Sequence, residues 1–173
     1  MQLSLRSLQS ASEHFEKQYE PSLFPWNEGD ALRVVSEARL SFDVHRQEPA
    51  RYRVVGRLTA KIELTCSRCL EPFTFPVSTD FDLRYVPRTE NVGEGETEVK
   101  EDDLATAFYS DDQIDLAQLI TEQLHLALPM KALCVEACKG LCPQCGTNLN
   151  TASCDCSQRW TDPRLEALKQ FKT

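Results

Sequence analysis

From Leu32 to Val44 the even positions read Leu, Val, Ser, Ala, Leu, Phe and Val, while the odd positions are mostly polar or charged. That two-residue period predicts a half-buried β-strand. A second strand follows after RQEPA, a loop-like interval with a proline, because Val54, Leu58, Ala60, Ile62 and Leu64 alternate with Arg53, Arg57, Thr59, Lys61 and Glu63. A third runs on odd numbers, with Phe73, Phe75, Val77, Phe81, Leu83 and Tyr85 on one face, and Pro76 marks an edge or a bulge there. Three long strands joined by short connections imply an antiparallel meander with one face on a core. A helix is expected to cover that face. In IDLAQLITEQLHLALP the residues Leu116, Leu119, Ile120, Leu124 and Leu128 share a stripe of the 3.6-residue period, with Asp115 placed to cap the start and Pro129 to mark the end. Ser10 and Glu13 have capping-box spacing and predict a second, shorter helix. Asp162 and Pro163 predict a third, running through RLEALKQFK.

The expected fold class is therefore α+β, an antiparallel β-meander packed by a few helices. At 173 residues, 41% of them hydrophobic and 27% charged, the composition is that of an ordinary globular domain. The net charge of -8 argues against a surface that is uniformly a polyanion-binding face. That charge is unevenly spread. Residues 71–122 carry 14 acidic and 3 basic side chains, whereas residues 31–70 carry 8 basic and 4 acidic. The centre of the acidic stretch, TENVGEGETEVKEDD, reads as a solvated loop over about 87–103 within an α+β domain of residues 1–133. Residues 134–173 read as a cysteine-rich subdomain with a C-terminal helix, and the two parts are expected to form one compact unit. The opening segment has no apolar run of signal-peptide length, and no stretch approaches a membrane span. A cytoplasmic location without membrane attachment is the expectation.

In a reducing compartment, paired cysteines more often bind metal than form disulfides. The eight cysteines form four dyads: Cys66 and Cys69 in CSRC, Cys134 and Cys138 in CVEAC, Cys142 and Cys145 in CPQC, and Cys154 and Cys156 in CDC. A tetrahedral zinc site needs four soft ligands, and a short turn presents two thiolates to one ion, so four dyads suffice for two ions. Closure entropy favours joining Cys142 and Cys145 to Cys154 and Cys156, which leaves Cys66 and Cys69 with Cys134 and Cys138. The competing arrangement has Cys134, Cys138, Cys142 and Cys145 share an ion and leaves CDC with CSRC. The local pairing predicts a zinc knuckle at the tip of a hairpin and a zinc ribbon near the C-terminus. Thiolates also suit iron; zinc is the default.

Two closed sites would be structural, because a catalytic zinc keeps a position open for water. His14, His45 and His125 are scattered, no GxSxG arrangement occurs, and the HxE and PCxxC signature of zinc deaminases is absent. Nothing in the pattern calls for an enzyme or a small-molecule substrate.

The run LPMKALCVEACKGLCPQCGTNLNTASCDC, the upstream LTCSRCLEPF and the downstream DPRLEALKQF resemble the bacterial and plastid YceD family of large ribosomal RNA subunit accumulation proteins. The resemblance spans most of residues 32–171. It implies a cytoplasmic role in synthesis, processing or stability of 23S rRNA, and thus in ribosome biogenesis, with rRNA or a ribosomal or assembly protein as partner; it implies no catalytic activity. The family's cysteine motif falls on all eight cysteines of this chain. A direct RNA contact would need phosphate-neutralising cations, and Arg33, Arg39, Arg53, Arg57 and Lys61 share the outward parity of two strands, with Arg68 inside CSRC. Glu37, Asp43 and Glu63 interrupt that stripe, as on a merely solvated sheet face. The alternative is an acidic adaptor that engages a basic ribosomal or RNA-processing protein without touching RNA.

Overall fold

The computed structural model describes residues 1–25, 29–88, 105–156 and 164. The acidic loop, apart from its first two residues, and the helix expected from Asp162 lie outside the described residues, as do Trp26 and Trp160. The chain forms two compact units: Met1–Leu64 with Thr74–Met130, and Thr65–Phe73 with Lys131–Thr173. The CSRC turn thus belongs with the C-terminal cysteines.

The first unit is mostly sheet. Its strands are β1 (Gln2–Ser4), β2 (Ser12–Tyr19), β3 (Arg33–Val34), β4 (Ala38–Glu48), β5 (Arg51–Thr65), β6 (Pro72–Pro87), β7 (Thr106–Tyr109) and β8 (Gln113–Asp115), followed by a single α-helix among the described residues, α1 (Leu116–Leu126). The main sheet has the order β2-β4-β5-β6-β7, with β3 pairing β5, and a second sheet joins β1 to β8. The alternation expected for the long strands is present: Leu40, Phe42, Val44, Val54, Leu58 and Ile62 are all buried, and the residues between them face outward. In β6 the buried positions Val77, Phe81 and Tyr85 are odd-numbered, as its period requires.

Four features depart from the sequence reading. The meander extends into a mixed sheet, because β7 pairs with β6 in parallel through Arg84↔Thr106 to Pro87↔Tyr109. The strand expected from Leu32 to Val44 is broken: β3 ends at Val34, and the Ser36 hydroxyl accepts the Lys61 amide at 2.8 Å in place of a ladder carbonyl. The strands flanking RQEPA run on to Glu48 and from Arg51, which leaves only Pro49 and Ala50 between them. The helix expected after Ser10 is instead β2, which pairs antiparallel with β4 from Ser12↔His45 to Tyr19↔Ala38. The local signal there is real, since the Glu13 carboxylate accepts the Ser10 amide at 2.9 Å. Tertiary pairing overrides it. The Phe15 ring stacks on Phe42 with centroids 5.4 Å apart, a contact that only the extended form delivers.

Helix α1 forms where expected. Asp115 Oδ1 accepts the amides of Ala117 at 2.8 Å and Gln118 at 3.3 Å, supplying partners for two donors of the first turn. Leu116, Leu119, Ile120 and Leu124 are all buried on one stripe. The helix ends before Leu128, which is only half-buried. Leu119 of the helix and Tyr85 of β6 line the same cleft, and Leu124 lines another with Val34 of β3, so the helix lies against the sheet as the meander requires. Among the described residues, no helix is long and apolar enough to cross a membrane.

Candidate metal centres

Among its described residues the second unit has little apolar core of its own. Its buried cluster consists of Cys66, Cys69 and Cys138, with Phe73, Leu133, Cys134 and Leu141 packed around them. The eight sulfurs fall into two groups, Cys66, Cys69, Cys134 and Cys138, and Cys142, Cys145, Cys154 and Cys156, each with all Sγ atoms within 4.8 Å of one another. This is the grouping that closure entropy favours.

The first quartet is built by two segments. CSRC supplies Cys66 and Cys69 at a turn closed by the Leu70 amide to the Cys66 carbonyl and the Cys66 amide to the Glu71 carbonyl, both at 2.9 Å. The segment after α1 supplies Cys134 and Cys138. It is joined to the turn by the Ser67 amide donating to the Ala132 carbonyl at 2.8 Å and by the Leu141 amide donating to the Arg68 carbonyl at 3.1 Å. Gly140, at φ +76°, makes that approach practicable: a Cβ there would stand 2.9 Å from the Arg68 carbonyl oxygen.

The sulfur spacing tests whether an ion fits. Four thiolates placed tetrahedrally about zinc at about 2.3 Å have neighbouring sulfurs about 3.8 Å apart. Cys66 Sγ lies 3.8 Å from Cys138 Sγ, and Cys69 Sγ lies 3.8 Å from Cys134 Sγ. The residues present therefore fit a tetrahedral thiolate ion. Backbone amides of Cys69 and Cys134 aimed at the Cys66 sulfur bring that thiol down to about 6, whereas burial pushes Cys134 up to about 12. Four thiols packed this closely resist common ionisation; a bound divalent cation removes the conflict.

In the second quartet CPQCG turns tightly. The Cys142 amide donates to the Thr147 carbonyl at 2.8 Å and the Gly146 amide to the Cys142 carbonyl at 2.9 Å. Cys145 and the Thr147 hydroxyl lie 3.1 Å apart, and that hydroxyl and the Thr147 amide bring the Cys145 thiol down to about 6. Cys142 is buried, Cys154 and Cys156 are half-buried, and Cys145 is exposed.

Three supporting residues escaped the sequence reading. Asn150 donates through Nδ2 to Cys138 Sγ at 3.3 Å, while its Oδ1 accepts the Lys139 amide at 2.8 Å. Thr147 and Gly140 are the other two. All three sit in the KGLCPQCGTNLN run, but nothing in the spacing alone distinguishes a residue that touches sulfur from one that turns the chain.

The structure does not gather the candidate RNA-contacting residues into one free cationic patch. Arg57 holds Asp80 bidentately, Nε to Oδ1 at 2.6 Å and Nη2 to Oδ2 at 3.0 Å. Arg53 grips Asp82 in the same way, with Nε to Oδ1 at 2.8 Å. Arg33 is 3.9 Å from Glu63 and Arg39 is 3.6 Å from Glu37. Lys61 is exposed on β5. Arg68 lies in the other unit, where Nη1 donates to the carbonyls of Glu136 at 3.1 Å and Cys138 at 2.7 Å. The arginines hold the Asp80 and Asp82 carboxyls below the usual carboxylate range. Whatever stability these pairs contribute is present above the ordinary carboxylate pKa and is lost as pH falls through the lowered values.

A mostly antiparallel sheet unit and a second unit with two cysteine quartets that could hold metal ions define a small α+β protein. The comparison with known proteins narrows that class. The model of the large ribosomal RNA subunit accumulation protein YceD matches residues 54–172, and the chain belongs to this family. It is 31% identical over 143 residues to the chloroplastic large ribosomal RNA subunit accumulation protein YCED homolog 1 of Zea mays, covering 69% of this chain and 48% of the relative. The Arabidopsis thaliana homolog 1 is 42% identical over 50 residues, 29% of this chain and 16% of the relative. An uncharacterized protein of Mycobacterium tuberculosis is 35% identical over 96 residues, 56% of this chain and 44% of the relative. The chain thus spans about half the length of the maize relative and less of the others. No solved structure matches.

Proposed function

We propose that this chain is a non-catalytic, cytoplasmic zinc protein that supports accumulation of 23S rRNA during assembly of the large ribosomal subunit. The observation that carries the reading is the pair of thiolate quartets, one with 3.8 Å sulfur spacings, in a chain of the YceD family. Cys66, Cys69, Cys134 and Cys138 would hold one zinc ion and Cys142, Cys145, Cys154 and Cys156 the other. Bound there, zinc supplies fixed cross-links; with four thiolates around each ion, no position is reserved for an activated water.

The second reading, an adaptor that engages a basic ribosomal or RNA-processing protein, gains support from the ion pairs on the sheet. Arg53 and Arg57 are both engaged bidentately by aspartates, so a phosphate would have to displace a carboxylate at each. Depletion of the protein in its host is expected to lower the ratio of 23S to 16S rRNA, and the wild-type chain to restore it. Restoration by an Arg53→Gln, Arg57→Gln double variant would favour the adaptor; failure of that variant, with its fold intact, would favour direct RNA contact. An unchanged rRNA ratio on depletion would defeat both readings.

A further inference from the structure

The two quartets are not equivalent in their access to solvent. Cys66, Cys69 and Cys138 are at most 3% exposed, and Phe73, Leu133 and Leu141 pack around them. In the second quartet only Cys142 is buried. Cys142, Cys154 and Cys156 line an open cleft of about 510 Å³, together with Pro143, Gln144 and Leu149, and Cys145 is itself exposed. The second quartet thus offers an exposed cysteine and an open cleft, whereas the first offers only Cys134, which is half-buried.

We infer that the second quartet is a thiol-oxidation site for hydroperoxides, at which oxidation expels the bound ion while the first quartet keeps its own. The inference rests on the proposal that both quartets hold zinc. Thiolate sulfur is the nucleophile toward peroxide, and susceptibility follows exposure. The Cys145 sulfur attacks one peroxide oxygen; the O–O bond breaks, the sulfur becomes a sulfenic acid, and hydroxide leaves. The thiolate of Cys142 or Cys156, each within 4.8 Å of Cys145, then attacks the sulfenic sulfur. A disulfide forms and a second hydroxide leaves. Two thiolates and one hydrogen peroxide thus give one disulfide and two hydroxides: the sulfurs lose two electrons and the peroxide gains them. Two thiolates remain where four held the ion, too few for a closed tetrahedral site.

The outcome for the chain is graded. The CPQCG turn keeps its backbone hydrogen bonds from Cys142 to Thr147 and from Gly146 to Cys142. The first quartet, with Arg68 bonded to the carbonyls of Glu136 and Cys138, stays closed. Oxidant would therefore convert a two-ion protein into a one-ion protein without unfolding the second unit outright, and a thiol reductant with zinc would reverse the change.

The experiment uses the full chain, purified under reducing, anaerobic conditions, with its metal content measured first. Hydrogen peroxide is added, released zinc is followed with a colorimetric chelator, and the thiols are mapped by alkylation and mass spectrometry. The expected result is two phases, about one ion released at least ten times faster than the other, with disulfide confined to Cys142, Cys145, Cys154 and Cys156 during the fast phase. A Thr147→Val variant, which keeps all eight ligands, tests the site separately: its slow phase should be unchanged while its fast phase changes rate. A protein that starts with two ions and releases both in one phase, or whose first disulfide lies among Cys66, Cys69, Cys134 and Cys138, overturns the inference and leaves the zinc proposal standing. A protein that starts with no bound metal overturns both.

Discussion

Replacing Cys66 with serine is expected to remove about one of two metal ions per chain and to abolish amide protection across Thr65–Phe73 and the segment following Lys131. The reason is the composition of that unit's interior. Among the described residues its buried cluster is three of the four thiols themselves, and the apolar residues around them are only partly covered. The thiol cluster is therefore, among the described residues, the main candidate for the staple that a small core needs. Structural zinc contributes about 10–16 kcal/mol in small finger peptides, comparable to the about 5–15 kcal/mol that stabilises a whole domain. Cys66 is fully buried, with its sulfur 3.8 Å from Cys138, so a serine oxygen there is both a poorer ligand and a buried polar group without an ion. The first unit should keep its exchange protection, because Leu40, Phe42, Leu58, Ile62 and the α1 leucines form its core without help from cysteine. Hydrogen exchange read segment by segment, alongside zinc content, checks both halves. Full metal content in the variant would show that Cys66 is not a ligand.

Gly56→Val should produce the largest loss of stability in the first unit. Gly56 lies opposite Phe42 in the β4/β5 ladder. A Cβ at position 56 would meet Phe42 Cβ and the Ser41 carbonyl oxygen, both at 2.5 Å, and Phe42 Cα at 2.8 Å. Two of those three atoms are backbone, and the third is fixed to it, so no flexible tip can move aside. Phe42 cannot retreat either: it is 1% exposed and stacked on Phe15. Overpacking of this kind costs about 3 kcal/mol, a fall of about 10 °C in the unfolding midpoint. A thermal midpoint equal to that of the wild type would mean that β4 and β5 do not approach as closely here as described.

Much of the sheet was legible because burial writes itself into alternation. Val54, Leu58, Ile62 and Leu64 in β5, and Val77, Phe81 and Tyr85 in β6, read correctly without any partner being known. Helix α1 was legible for the same reason at the other period, with a cap at Asp115 that the structure uses. The edges were not. β2, with its run SEHFEKQY, carries few apolar residues, and its state is decided by hydrogen bonding to β4 rather than by its own pattern. β7 is four residues long and pairs in parallel with a strand already spoken for on its other side, a choice that no local signal encodes.

The candidate site divides in the same way. The grouping of the cysteines was legible because a soft-metal site calls for cysteines in close pairs, and chain closure favours near neighbours. What holds the thiols in place was not. Arg68 is a candidate RNA contact in the sequence, and nothing in its spacing signals that its Nη1 donates to the Glu136 and Cys138 carbonyls. Likewise the outward parity of Arg53 and Arg57 was read correctly, but not the aspartates at 80 and 82, because the partner strand's register is invisible to single-strand periodicity.

On the proposed reading, the eight cysteines bind two ions in two all-thiolate sites. Zinc X-ray absorption combined with metal analysis, on protein kept reduced from lysis onward, tests it most directly. About two zinc ions per chain and a single shell of four sulfur ligands at about 2.3 Å are expected. Fewer than about 1.5 metal ions per chain, or a ligand shell in which nitrogen or oxygen replaces sulfur, would contradict it.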